Sequence, residues 1–119
     1  MRKPLSILIV DDEPLVAKTV AHFLEHCGCH IAVCNDGHTA VKRLSMHLFG
    51  LLITDLGLPK DGGRYLLNFV HRTKYKCQVI VMTGKGVQEE WLDFLSIPIL
   101  FLQKPFDMDV LVGYIEAIP

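Results

Sequence analysis

Five short runs of mostly branched apolar residues recur along the chain, at 7–10, 31–33, 51–53, 79–82 and 99–102. None alternates polar with apolar positions, as a strand with one wet face would. Each reads as a strand covered on both faces, which is the signature of a parallel sheet. The stretches between them carry the helical period. In the first, Val16, Val20, Phe23 and Cys27 form one stripe, Pro14 suits the opening turn after acidic residues, and Gly28 is placed to end the helix. A second helix is predicted over 39–47, with Ala40, Val41 and Leu44 inward, and a third over 64–72, with Leu66, Leu67, Phe69 and Val70. A fourth covers 87–95 and is stopped by Pro98; a fifth covers 107–117, with Val110, Leu111, Tyr114 and Ile115. Five strands alternating with five helices predict an α/β protein with one doubly wound sandwich over residues 1–119.

Composition narrows the classes. At 119 residues the chain has room for one domain, and half of its residues are hydrophobic, so a continuous core needs no disulfide staples. A disordered tail, a collagen-like fibre and a disulfide-dense mini-protein are excluded. Twelve Lys and Arg against 13 Asp and Glu leave a net charge of -1. No global basic field is present to hold nucleic acid or an anionic membrane. Four cysteines (Cys27, Cys29, Cys34 and Cys77) are too few for a disulfide scaffold. The apolar run after Met1-Arg2-Lys3 is too short for a signal peptide, and no stretch approaches the ~20 apolar residues that span a bilayer. A cytoplasmic protein with reduced thiols is expected.

In doubly wound folds the C-terminal ends of the strands share one edge, where ligands bind at a topological switch point. Asp11, Asp12 and Glu13 follow the first strand here, Asp55 the third, Thr83 and Gly84 the fourth, Lys104 and Pro105 the fifth. Two like charges about 4 Å apart repel by roughly 4 kcal/mol at an effective dielectric of 20. Asp11, Asp12 and Asp55 therefore need either a retained proton or a cation among them. An oxygen-only set suits Mg²⁺ better than a soft metal. Asp55 then remains an anion able to attack phosphorus, Lys104 neutralises phosphoryl oxygens, and Thr83 offers them a hydroxyl.

The same residues carry a resemblance. The segments 7–14 (ILIVDDEP), 54–59 (TDLGLP) with Gly63 beyond, 82–84 (MTG) and 103–106 (QKPF) resemble the receiver domain of two-component response regulators, in the right order over nearly the whole chain. The resemblance implies a flavodoxin-like (βα)5 fold with strand order 2-1-3-4-5. It implies that Asp55 accepts a phosphoryl group from a phosphohistidine on a sensor kinase or phosphotransfer protein. Mg²⁺ would be held by Asp11, Asp12, Asp55 and the backbone carbonyl of Gly57. Lys104 would bridge to the phosphate, with a cis Lys104–Pro105 peptide. Thr83 would move toward the phosphate, and Phe101 would take the place of the aromatic switch. The output face would lie around helix four, strand five and helix five, where a homodimer could form. Thr54 before Asp55, with the segment 82–86, resembles the receivers of transcription regulators, and the Met1-Arg2-Lys3 start favours an N-terminal receiver. Two departures stand out. The segment 96–99 (SIPI) replaces the small Gly-Ala pair usual before strand five, and Asp61-Gly62-Gly63 shifts the usual acidic residue, from which a looser turn is expected.

Blander readings compete. Asp11 and Asp12 also fit helix caps, and Asp55 an ordinary turn residue. His22, Glu25 and His26 match the H-x-x-E-H pattern of inverted zinc peptidases, but both histidines lie off the apolar stripe. Cys27, Cys29, His30 and Cys34 resemble a metal cluster only loosely. Trp91, Phe94 and Tyr114 suit either core or a partner surface. Two rival functions remain: a Mg²⁺-dependent phosphohydrolase with an aspartyl nucleophile, and an interaction module that keeps the fold without phosphorylation. The first would need an additional acid and a cap over the substrate. The intact Asp55, Lys104 and Thr83 set weighs against the second.

Overall fold

Five parallel strands form one sheet in the order β2-β1-β3-β4-β5: β1 (Ser6–Val10), β2 (His30–Cys34), β3 (Leu51–Asp55), β4 (Gln78–Thr83) and β5 (Ile99–Gln103). The computed structural model describes residues 4–84 and 90–118. Among the described residues four α-helices connect or follow the strands: α1 (Pro14–His26), α2 (Gly37–Met46), α3 (Gly62–Thr73) and α4 (Met108–Glu116). The doubly wound fold and its strand order agree with the reading of the sequence, and α4 is the predicted fifth helix.

The sheet is apolar on both faces because successive side chains of each central strand enter different cores. Leu8, Val10, Leu52, Val79 and Val81 pack with Ala40 and Leu44 of α2 and with Leu66, Leu67 and Val70 of α3. Ile7, Ile9, Ile53, Ile80 and Met82 pack on the other side with Val20, Ala21 and Leu24 of α1 and Leu111 of α4. Each fully buried side chain of this kind stabilises the fold by about 1.5–3 kcal/mol.

The sequence-based expectations need correction at several places. Cys27 does not continue the buried stripe of α1: it is the exposed C-terminal cap, and Ala17, Val20, Ala21 and Leu24 are the buried positions. The buried face lies about one position round the helix from the predicted stripe, with Ala17, Ala21 and Leu24 buried beside Val20. Val110 of α4 is exposed, leaving Leu111 as the buried residue of that helix. Of the predicted fourth helix, residues 87–89 lie outside the described residues, and Glu90–Phe94 forms a 3-10 turn instead of an α-helix. The side chain of Phe94 is likewise outside the described part. β5 is not covered on both faces: Leu100 and Phe101 are 45% and 49% exposed. The segment before β5 is tied to α3, since the Ser96 N–H donates to His71 Nδ1 at 3.1 Å.

Two local features set the strand-end edge. Helix α2 begins where Asp36 caps it, Oδ1 accepting from Thr39 N at 2.7 Å and Oδ2 from Thr39 Oγ1 at 3.0 Å. The turn between β3 and α3 is not loose. Lys60 and Asp61 both take left-handed conformations (φ 56° and 53°), and the helix start is pressed against the strand end. A Cβ on Gly63 would lie 2.5 Å from the carbonyl oxygen of Leu56.

Two predictions follow from this local chemistry. Asp36→Ala is expected to lower stability by about 1 kcal/mol, with Asp36→Asn restoring most of it, as read by urea denaturation. The Thr39 N–H holds the Asp36 carboxyl below its ordinary value, so this contribution is present above the usual carboxylate range. It should be lost as pH falls through the lowered value. Gly63→Ala is expected to cost about 1–3 kcal/mol, because the backbone oxygen of Leu56 must move; an unchanged denaturation midpoint would contradict the close approach.

Candidate functional site

The chain runs from β1 outward to β2 and then crosses back to β3, so the strand order reverses between β1 and β3. A crevice opens at the C-terminal ends of these two strands. Asp11 is the first residue after β1, and its N–H donates to the carbonyl of Cys34 at the end of β2, 3.1 Å away. Asp55 is the last residue of β3, paired with Met82 of β4. The backbone thus delivers both carboxylates to one edge.

Asp11, Asp12 and Asp55 each present an oxygen such that all three lie within 4.8 Å of one another. Asp11 and Asp55 are buried and Asp12 is exposed, which leaves the cluster open to solvent on one side. Lys104 enters from the loop after β5. Its Nζ lies 2.8 Å from Asp11 Oδ2, 3.3 Å from Asp55 Oδ2 and 3.4 Å from Glu13 Oε1. The other oxygen of each buried carboxylate takes a backbone amide: Glu13 N donates to Asp11 Oδ1 at 2.9 Å, and Gly57 N to Asp55 Oδ1 at 3.1 Å. Asp11 is thus no helix cap; α1 begins after Glu13, which makes no side-chain capping bond.

Burial pushes the Asp11 carboxyl above its ordinary value and outweighs the opposing hydrogen bonds from Lys104 and the Glu13 amide. Burial acts to lower the Lys104 ammonium, but the hydrogen bond to Asp11 and the charges of Asp55 and Asp11 carry it above its usual value. The Lys104 shift reports the negative charge around it, whereas that of Asp11 reports burial. Three carboxylates against one ammonium leave two negative charges in excess before Glu13 is counted. A hard divalent cation with oxygen ligands fits that deficit in sign, size and donor type.

Thr83, half-buried at the end of β4, is joined to the cluster through the backbone: Lys104 N donates to its carbonyl at 2.7 Å. Lys104–Pro105 is a cis peptide. Phe101 lies on the outer strand, away from the carboxylates in sequence register, and its carbonyl accepts the Tyr114 hydroxyl at 3.2 Å. Gly57 contributes its amide to Asp55. Sequence reasoning missed the contact of Glu13 with Lys104, although Glu13 continues the acidic run after β1. Among the described residues the three aspartates are the one group that brings three such ligands together, so neither the His22–Glu25–His26 pattern nor the cysteines assemble a three-ligand centre. Trp91 is half-buried with the Arg64 guanidinium 5.5 Å over its ring, and Tyr114 is half-buried. No described helix is long and apolar enough to cross a membrane.

Residues 7–116 match the response regulator receiver domain family. The chain is 26% identical over 121 residues to transcription factor SKN7 of Saccharomyces cerevisiae, covering 98% of this chain and 20% of that protein. It is 32% identical over 120 residues to response regulator Rre1 of a Synechocystis species, covering 98% of this chain and 52% of the relative. The chain therefore spans about half or less of the length of these relatives. A response regulator receiver protein from Pseudomonas putida superposes with a TM-score of 0.84 at 24% identity, covering 99% of this chain and all of the other. Sequence, topology and site agree on one conclusion: the chain belongs to the receiver domains of two-component response regulators.

Proposed function

We propose that Asp55 is the phosphoacceptor of a signalling switch, charged by a phosphohistidine on a sensor histidine kinase or phosphotransfer protein. The observation that carries this reading is the Asp55 carboxylate held between the Gly57 amide and Lys104, within reach of the carboxylates of Asp11 and Asp12. An oxygen of Asp55 forms the new bond to phosphorus as the phosphorus–nitrogen bond to the donor imidazole breaks. The electron pair stays on the leaving imidazole, which takes up a proton from solvent. The Lys104 ammonium lies where it can neutralise charge on the transferred oxygens. Asp11, Asp12, Asp55 and the backbone carbonyl of Gly57 would hold Mg²⁺, which when bound supplies the positive charge that lets an anionic phosphoryl group approach a carboxylate cluster. The protein promotes transfer to itself and slow loss to water, without turnover of external esters.

A groove of about 560 Å³ lies beside Lys104, lined by Leu15, Val16, Phe106 and Met108 among others. Leu15 is 78% exposed, an apolar side chain suited to contact with the phosphodonor protein. The Thr83 hydroxyl would bond a phosphoryl oxygen. A hydroxyl bond to a charged group is worth about 1.5–3 kcal/mol, short of the ~5.5 kcal/mol that moves a two-state equilibrium from 1:99 to 99:1. The contacts of Lys104 and the cation must supply the remainder. Phe101 would change its exposure as Thr83 moves, and the surface of Leu100, Phe101 and Val110 on β5 and α4 would meet the output partner or a second copy. The free thiols suit a cytoplasmic setting.

Incubation with Mg²⁺ and acetyl phosphate is expected to add one phosphate, read by intact mass, and none in Asp55→Asn or with excess EDTA. A phosphorylated Asp55→Asn protein would end the assignment. Thr83→Ala is expected to accept phosphate at a similar level while losing most of the phosphorylation-dependent change in Phe101 exposure. That change can be followed by fluorine NMR on labelled phenylalanine, and an undiminished response would remove Thr83 from the switch.

A further inference from the structure

We propose that the outer face of α1 carries a second metal site: a two-histidine chelate formed by His22 and His26 for a late first-row divalent cation such as Ni²⁺ or Zn²⁺. Residues four apart on a helix stand one above the other on the same face. The two rings are adjacent, with centroids 4.5 Å apart and planes inclined by 49°. Both residues are exposed, and among the described residues neither ring is hydrogen bonded or ion paired. Their positions are fixed from beneath, because Val20, Ala21 and Leu24 bury the opposite face of the same turns. A chelate of this kind therefore needs only side-chain rotation, with little ordering of backbone.

Donor chemistry separates this site from the carboxylate cluster. Neutral imidazole nitrogens favour borderline cations such as Ni²⁺, Cu²⁺ and Zn²⁺, whereas an oxygen-only set favours Mg²⁺. Glu25 places an anion next to the pair and Lys18 a cation one turn earlier, so local charge is nearly balanced. The three-ligand geometry of a zinc peptidase is absent among the described residues. Two protein nitrogens leave the remaining coordination positions to water, which makes this a binding site and not a hydrolytic centre. The rival ligand is the exposed thiol of Cys27, the residue after His26.

The test is a calorimetric titration of the whole chain with Ni²⁺ at saturating Mg²⁺, under reducing conditions without competing thiols. One ion is expected to bind, with affinity weakened by about tenfold or more in His22→Gln and in His26→Gln and kept in Cys27→Ser. Paramagnetic broadening of amide signals should centre on the last two turns of α1. Failure to bind, equal affinity in His22→Gln, loss of binding in Cys27→Ser, or broadening centred on Asp55 would each overturn the proposal. None of these outcomes bears on phosphorylation of Asp55.

Discussion

The arrangement depends on a concentration of like charge that the fold creates and Lys104 only partly relieves. The parallel sheet brings the ends of β1 and β3 side by side, so residues placed there by sequence meet whether or not their charges favour it. Asp11 has no side-chain exposure at all, and its 2.8 Å contact with Lys104 is its sole cationic partner among the described residues. Removing one member of a buried pair costs about 3–5 kcal/mol, because the other charge is left without compensation. Lys104 shares itself among three carboxylates at 2.8 to 3.4 Å, and no single geometry serves all three equally. A cluster left with unmatched negative charge is suited to a cation and then to an anion brought in with it.

The central strands were legible because both of their faces are covered, and continuous apolar runs have no other stable place in so small a protein. Helix faces were less legible. In α1, Val16, Val20, Phe23 and Cys27 suggested one stripe, yet Ala17, Ala21 and Leu24 are buried with Val20 and move the buried face round the helix. Large side chains dominate a hydrophobic pattern, while small ones allow the closest packing. The same limit explains Val110, which shares the apolar character of Leu111 but points away from the core that Leu111 fills. For the segment 87–95, an apolar period was present, but the residues described there take another form: a 3-10 turn at Glu90–Phe94, followed by a loop fastened to His71. Periodicity cannot register a tether made by a single imidazole 25 residues away.

The site residues were legible for a reason independent of secondary structure detail. Their positions follow from where strands end, and a shift of a residue at a helix boundary does not move them. What escaped was backbone chemistry. The amides of Glu13 and Gly57 each take one oxygen of a buried carboxylate, and this orients the second oxygen toward Lys104. The left-handed Lys60 and Asp61 let the chain turn tightly enough for Gly63 to approach Leu56. Neither feature has a strong side-chain signature, since every residue but proline can donate an amide and Lys does not announce a positive φ.

Communication out of the crevice follows from which of its neighbours is held most weakly. Asp11 and Asp55 are fixed to central strands whose side chains are buried on both faces. Lys104 belongs to the edge, and its amide is bonded to the carbonyl of Thr83 at 2.7 Å, so the ammonium and the end of β4 are joined through two residues of backbone. Three residues earlier, the carbonyl of Phe101 accepts the hydroxyl of Tyr114 on α4. β5 buries a single side chain, Leu102, among its five. Movement at a site is cheapest where the fewest buried contacts must be given up. On the proposed reading, a new charge beside Asp55 would pull on Lys104, and the sparsely buried β5 would yield before β1 or β3. The sparsely covered strand is thus the direction in which the carboxylate cluster can act on the rest of the molecule.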